Sequence, residues 1–116
     1  MTDSIISTKS KAFALRIVRL YQYLCIHKES VIAKQMLRSG TSIGANIAES
    51  RYAQSKSDFA AKLQIALKEA AETQYWLELL RDAELVKSDK AFISLCDNCT
   101  ELIKLLTSSV KTAKAK

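Results

Sequence analysis

The sequence predicts an all-α protein, an antiparallel up-down-up-down four-helix bundle, on three observations. None of its 116 residues is proline and only two are glycine, the residues that turns and sheets use for special backbone angles. Four stretches carry the apolar spacing of an amphipathic helix. The connections between them, near 28–30, 53–57 and 84–88, are a few residues long, and short links make successive helices antiparallel neighbours. A single domain over 1–116 fits this length, which can bury a core without disulfides or a structural metal.

In the first helix, Phe13, Ile17, Leu20 and Leu24 recur at spacings of 4, 3 and 4, with Ala14, Val18, Tyr21 and Cys25 widening the face. Ser30 is the expected N-cap of the second, whose inner positions are Met36, Gly40, Ile43 and Ile47. Ser55 and Asp58 have capping-box spacing at the start of the third. Its seam reads Phe59, Leu63, Ala66, Ala70, Thr73, Leu77 and Leu80. Ser88 is the expected cap of the fourth, which carries Phe92, Cys96, Cys99, Ile103, Leu106 and Val110 inward. From about residue 108 the composition fades into Lys, Ala, Ser and Thr, and a frayed basic tail is expected.

Both glycines fall within Leu37-Arg-Ser-Gly-Thr-Ser-Ile-Gly-Ala-Asn-Ile-Ala-Glu-Ser50. Gly40 either breaks this segment into two short helices or, with Gly44 and Ala48, forms a stripe of small residues four apart. Such a stripe lets a neighbouring helix approach closely. Apolar periodicity runs through the segment, and one mid-helix glycine costs only about 1 kcal/mol against alanine, which favours the continuous helix.

This segment, together with Ala66-Leu-Lys-Glu-Ala-Ala-Glu-Thr-Gln-Tyr-Trp-Leu-Glu-Leu-Leu80, resembles the two signature stretches of a known family. That family comprises the four-helix-bundle proteins encoded in bacterial 23S rRNA intervening sequences, also called the S23 ribosomal protein family. The resemblance covers nearly the whole chain. It implies an up-down bundle assembling as a homopentamer, and kinship with the nucleic-acid-binding accessory protein of diversity-generating retroelements. The family has no agreed biochemical activity.

Charge bounds the partners. The net charge of +6 favours acidic ones, nucleic acid or anionic lipid. Residues 55–84 carry four basic and six acidic groups, whereas the other three segments are all net positive. Lys9, Arg16, Arg19 and Tyr23 share a stripe opposite the first helix's seam. Lys34 and Arg38 are four apart on the second helix, and Arg51 lies near its end. Cations beside an aromatic can hold a phosphate backbone and offer a stacking surface. For each residue alone, a solvated helix face is the competing reading. In a pentamer, five +6 chains would carry +30, which strengthens the nucleic-acid reading for the set.

Other chemistry finds little support. Cys96-Asp-Asn-Cys99 has C-x-x-C spacing, but both cysteines fall well inside a helix on the expected seam, and no further pair completes a zinc site. His27, the single histidine, lacks partners at usable spacing. Glu69 and Glu72 share a stripe with Ile65, Trp76 and Leu79 beside the third helix's seam. A surface stripe, half a metal site, or carboxylates paired with a cation are the open readings. Pairing with Arg38 or with a neighbouring subunit is preferred, because arginine suits a bidentate contact. The surplus apolar stripe marks association.

No cofactor or metal is expected, and no catalytic residue. Three cysteines suit a reducing compartment, the opening residues do not read as a signal peptide, and no apolar run reaches the ~20 residues of a membrane span. The cytoplasm is the expected location. The sequence thus points to a non-enzymatic oligomeric bundle binding RNA or DNA mainly through phosphates. The alternative is a protein–protein adaptor docking a nucleic-acid enzyme.

Overall fold

A computed structural model describes residues 2–115 of the chain. Four helices follow one another: α1 (Thr2–Ile26), α2 (Val31–Ser50), α3 (Lys56–Asp82) and α4 (Lys90–Ala115). Each packs beside its sequence neighbours, and α4 returns to α1, so α1/α3 and α2/α4 are the diagonal pairs. Cross-helix partners run in opposite directions, Lys9 with Glu101 and Arg16 with Ser94, or Glu49 with Lys62 and Arg38 with Glu72. The molecule is an antiparallel up-down-up-down four-helix bundle of 46 × 21 × 19 Å.

The core is a column of residues from all four helices. Ile6, Phe13, Ile17 and Leu24 enter from α1, and Met36, Ile43 and Ile47 from α2. Leu63, Ala66, Ala70, Thr73, Leu77 and Leu80 are buried as the α3 spacing predicts, but Phe59 is only half buried and Ala60 lies inside. On α1, Leu20 also stops at the edge of the core. The α4 face is turned by one residue from the expected stripe. Leu95 and Leu102 are buried where Cys96 and Ile103 were expected, with Phe92, Cys99, Leu106 and Val110 retained. Cys96 and Ile103 pack at the edge of the core instead, and Cys99, common to both stripes, places its Sγ 3.4 Å from the Ala70 carbonyl.

Helix α2 is continuous through both glycines. Within its polar segment the hydroxyls are satisfied on the preceding turn: Thr41 Oγ1 donates to the Leu37 carbonyl (2.7 Å) and Ser42 Oγ to that of Arg38 (2.6 Å). Gly40 is buried against Ile17, and a Cβ built there would lie 2.8 Å from Ile17 Cγ2. At Gly44 it would meet Ser10 Oγ at 3.4 Å. Ala48 does not join this contact and is exposed. Eight residues at 100° each leave it about 80° around the helix from Gly40, off the α1 seam.

The ends show where capping chemistry lands. Ser55 Oγ accepts from the Asp58 N–H (3.0 Å), while Asp58 Oδ2 reaches back one residue beyond the cap, to the Gln54 N–H (3.1 Å). Ser30 occupies the N-cap position of α2 without a side-chain cap bond, and Glu29 Oε1 instead accepts from Ile32 N–H. The cap of α4 is Asp89, not Ser88: Asp89 Oδ1 accepts from the Phe92 N–H at 2.9 Å. The fourth helix also does not fray near 108. It continues to Ala115 because Val110 is buried and Ala113 packs against the core.

Helices α1 and α3 both close with paired bonds to a left-handed residue. Glu29 N–H bonds to Leu24 O and Lys28 N–H to Cys25 O; Leu85 N–H bonds to Leu80 O and Glu84 N–H to Arg81 O. Lys28 (φ 65°) and Glu84 (φ 58°) hold the position where glycine is usual.

Two outcomes follow. Gly40→Ala overpacks Ile17, whose branched side chain is fully buried, and lowers stability by about 1 kcal/mol net of regained helix propensity. Gly44→Ala is neutral or stabilising by up to about 1 kcal/mol. Urea midpoints should place Gly44→Ala above Gly40→Ala, and the reverse order would contradict the packing. Glu84→Gly removes a left-handed side chain and should raise stability by about 0.5–1 kcal/mol; an unchanged or lower midpoint would contradict the strain at that turn.

Candidate functional site

The predicted site residues divide into three groups. The first is a clamp between α2 and α3. The Arg38 guanidinium straddles two carboxylates, with Nη1 to Glu69 Oε2 at 3.1 Å, Nη2 to Glu69 Oε1 at 3.2 Å and Nη2 to Glu72 Oε2 at 2.5 Å. Glu69 and Glu72 are one turn apart on α3, which lets one planar fork reach both. Trp76, a further turn along, donates its Nε1–H to Glu72 Oε2 (2.9 Å). Arg38 and the Trp76 N–H together hold the Glu72 carboxyl below the usual carboxylate range. Beneath the clamp, Thr73 Oγ1 and Ser39 Oγ meet at 2.8 Å, fully buried between the same two helices. Tyr75 sets its ring edge to face with Trp76 and stands exposed, as does Ile65.

The second group joins α1 to α4. Lys9 pairs with Glu101 at 3.2 Å. Arg16 donates to the Asn98 side chain (2.5 Å), the Ala91 carbonyl (2.8 Å) and the Ser94 hydroxyl (3.1 Å). All three acceptors are neutral, so Arg16 bridges the helices while its charge stays uncompensated by a carboxylate. Sequence spacing marked Arg16 as basic and outward, but its acceptors lie 75 or more residues away and left no local signal.

The third group is free. Arg19 and Lys34 are exposed, and their side chains make no hydrogen bond or ion pair among the described residues. Tyr23 is 45% exposed, and its ring stacks on His27 with centroids 4.1 Å apart. His27 Nδ1 also bonds the Tyr23 carbonyl at 2.8 Å, an ordinary helix-end contact. Arg51 follows α2 at the opposite end of the bundle from Arg19 and Lys34, so the structure does not gather all seven predicted residues into one surface.

What sequence reading missed is the end of the bundle where α1 and α3 finish and α2 and α4 begin. Lys28, Lys87 and Lys90 lie there with Arg19 and Lys34, and their side chains too are unpartnered among the described residues. The nearby acids are engaged: Glu29 and Asp89 cap helix N–H groups, and Asp82 pairs with Arg81 at 3.0 Å. Glu78 and Glu84 are the exceptions, and neither pairs with any of the five cations among the described residues. Acids placed next to helix starts were the available signal, since a carboxylate there prefers backbone N–H groups to a lysine.

Metal and thiol chemistry gain nothing from this geometry. Among the described residues no three His, Cys, Asp or Glu side chains converge on one point. Burial pushes the Cys99 thiol up to about 12 and raises Cys96 as well, the opposite of an activated redox pair. No helix among the described residues is long and apolar enough to cross a membrane.

Comparison with known proteins supplies the remaining context. A family profile described as 23S rRNA-intervening sequence protein matches residues 2–108. The fold matches a crystal structure from Bacteroides thetaiotaomicron VPI-5482, a protein of unknown function from the S23 ribosomal protein family. The two are 53% identical with a TM-score of 0.91, over 96% of this chain and 99% of the other. No curated protein matches.

The clamp has a pH signature. A carboxyl depressed in the folded state stabilises above its unfolded pKa of about 4.3, and that stability is lost as pH falls through the folded value. Between about pH 6 and about pH 3 the wild-type urea midpoint should fall further than that of Glu72→Gln. Parallel falls would contradict the clamp.

Proposed function

The chain belongs to the family of 23S rRNA-intervening sequence proteins, and from that premise we propose that it is a non-enzymatic bundle that binds RNA or DNA through phosphate contacts. One observation supports the reading: Arg19, Lys28, Lys34, Lys87 and Lys90 stand at one end of the bundle with no carboxylate bonded to any of them among the described residues. Cations with no bonded counter-ion are available to phosphate oxygens, and contacts of that kind supply sequence-independent affinity for a polyanion. Lys and Arg aimed at phosphates position the ligand without reading its sequence, so base specificity is low. The family's description in terms of 23S rRNA makes structured RNA the first ligand to test.

The protein acts as a homo-oligomer in this reading, a pentamer by analogy with the family resemblance. Ile65 and Tyr75, exposed beside the Arg38–Glu69–Glu72–Trp76 clamp, support self-association on the α2–α3 face. Repeating the basic end around a ring multiplies its potential. The cytoplasm is its place of action.

Binding to a structured RNA should weaken about 100-fold between about 50 and about 200 mM salt if four phosphates are contacted. Arg19→Ala with Lys34→Ala should flatten the log–log salt slope by about two, near one for each lost contact. An absence of binding at about 50 mM salt would overturn the proposal.

A further inference from the structure

We infer that the cleft between α1 and α4 seats one unpaired base of a single-stranded segment, with the flanking phosphates on Arg19 and Lys87. This rests on the nucleic-acid reading above and gives it a location and a preferred form of ligand.

The four seams of the bundle are unequal, and α1–α4 is the least closely packed of them. Where the pair opens, beyond Arg16, it leaves a cleft of about 330 Å³. That volume is of the size of one nucleotide. Leu20, Phe92 and Leu95 form an apolar floor, while Arg19 and Lys87 stand at the rim and Tyr23 lines one side. The occupant must therefore be apolar and flat on one part and anionic on another. Inorganic phosphate would leave the floor unused, and a neutral aromatic would leave the cations unused.

The electrostatics agree. Asp89 is the one acid lining the cleft, and its carboxylate accepts from the Phe92 N–H at the start of α4. Against it stand Arg16, bonded only to neutral acceptors, and Arg19 and Lys87, with no side-chain partner among the described residues. Tyr23 supplies the stacking face. Its contact with His27 steadies the ring, and every base has a π-face that such a platform accepts. In a duplex the bases are stacked on one another, so an unpaired base is the one able to enter.

The test is fluorescence anisotropy at fixed low salt, with a labelled 12-nucleotide oligouridylate and a duplex of the same length. Wild type, Tyr23→Ala, Tyr23→Phe and Lys87→Ala are compared, each first shown to keep the wild-type helical circular dichroism. Tyr23→Ala should weaken the single strand about tenfold and leave duplex affinity within about twofold, since stacking alone distinguishes the two ligands. Tyr23→Phe should retain binding, and Lys87→Ala should weaken both ligands. If Tyr23→Ala leaves single-strand binding unchanged, or weakens both ligands equally, the cleft is not the seat, while the phosphate-binding reading stands. If the wild type binds neither ligand, both fail.

Discussion

The closeness of α2 to its two neighbours is the constraint on which the rest of the bundle depends. Gly40 has no room for a methyl group because Ile17 already fills it, and Ser39, one residue earlier, shares a buried hydrogen bond with Thr73. A helix positioned from both sides in this way has little freedom to slide, since either contact fixes its register. The Arg38 clamp joins the two helices of the second contact, α2 and α3, at the adjacent surface positions, with Trp76 bonded to its Glu72. Helix α2 packs closely on both α1 and α3 and α4 packs on α3, which leaves the seam between α1 and α4 the least closely packed. The cleft lies on that seam.

Both glycines lie inside α2 and neither serves a left-handed turn position. The ends of α1 and α3 need a left-handed residue to complete their closing bonds, and Lys28 and Glu84 take that position with side chains attached. The turns are thus built from charged residues rather than glycine. In the same region Glu29 and Asp89 direct their carboxylates to backbone N–H groups. These carboxylates keep their charge but form no ion pair with the nearby lysines, which stand without a bonded counter-ion among the described residues.

Much of the fold was legible because its determinants are local. Helix-period spacing along Phe13, Ile17 and Leu24, or Leu63 through Leu80, identifies the inward faces directly. The α4 face was off by one residue because two apolar stripes run side by side there, Cys96 with Ile103 and Leu95 with Leu102, and only the position of α3 chooses between them. Adjacent residues of equal capping ability, Ser88 and Asp89, posed the same ambiguity. At the candidate site, Arg38, Glu69 and Glu72 were legible as a possible set, since acids between Ile65 and Trp76 are out of place on a plain solvated face. Arg16 was not. Spacing shows a basic residue, while its role depends on three acceptors from α4 that come near only in the folded chain.

Amide chemical-shift mapping of the isotope-labelled protein during titration with a short RNA tests the central claim most directly, because it locates binding without assuming a residue. The account predicts shifts concentrated at residues 19–34 and 84–95, where the free cations and the cleft lie, with residues 50–58 at the opposite end unmoved. Shifts centred on Arg51 and Lys56, or spread evenly over all four helices, would contradict it.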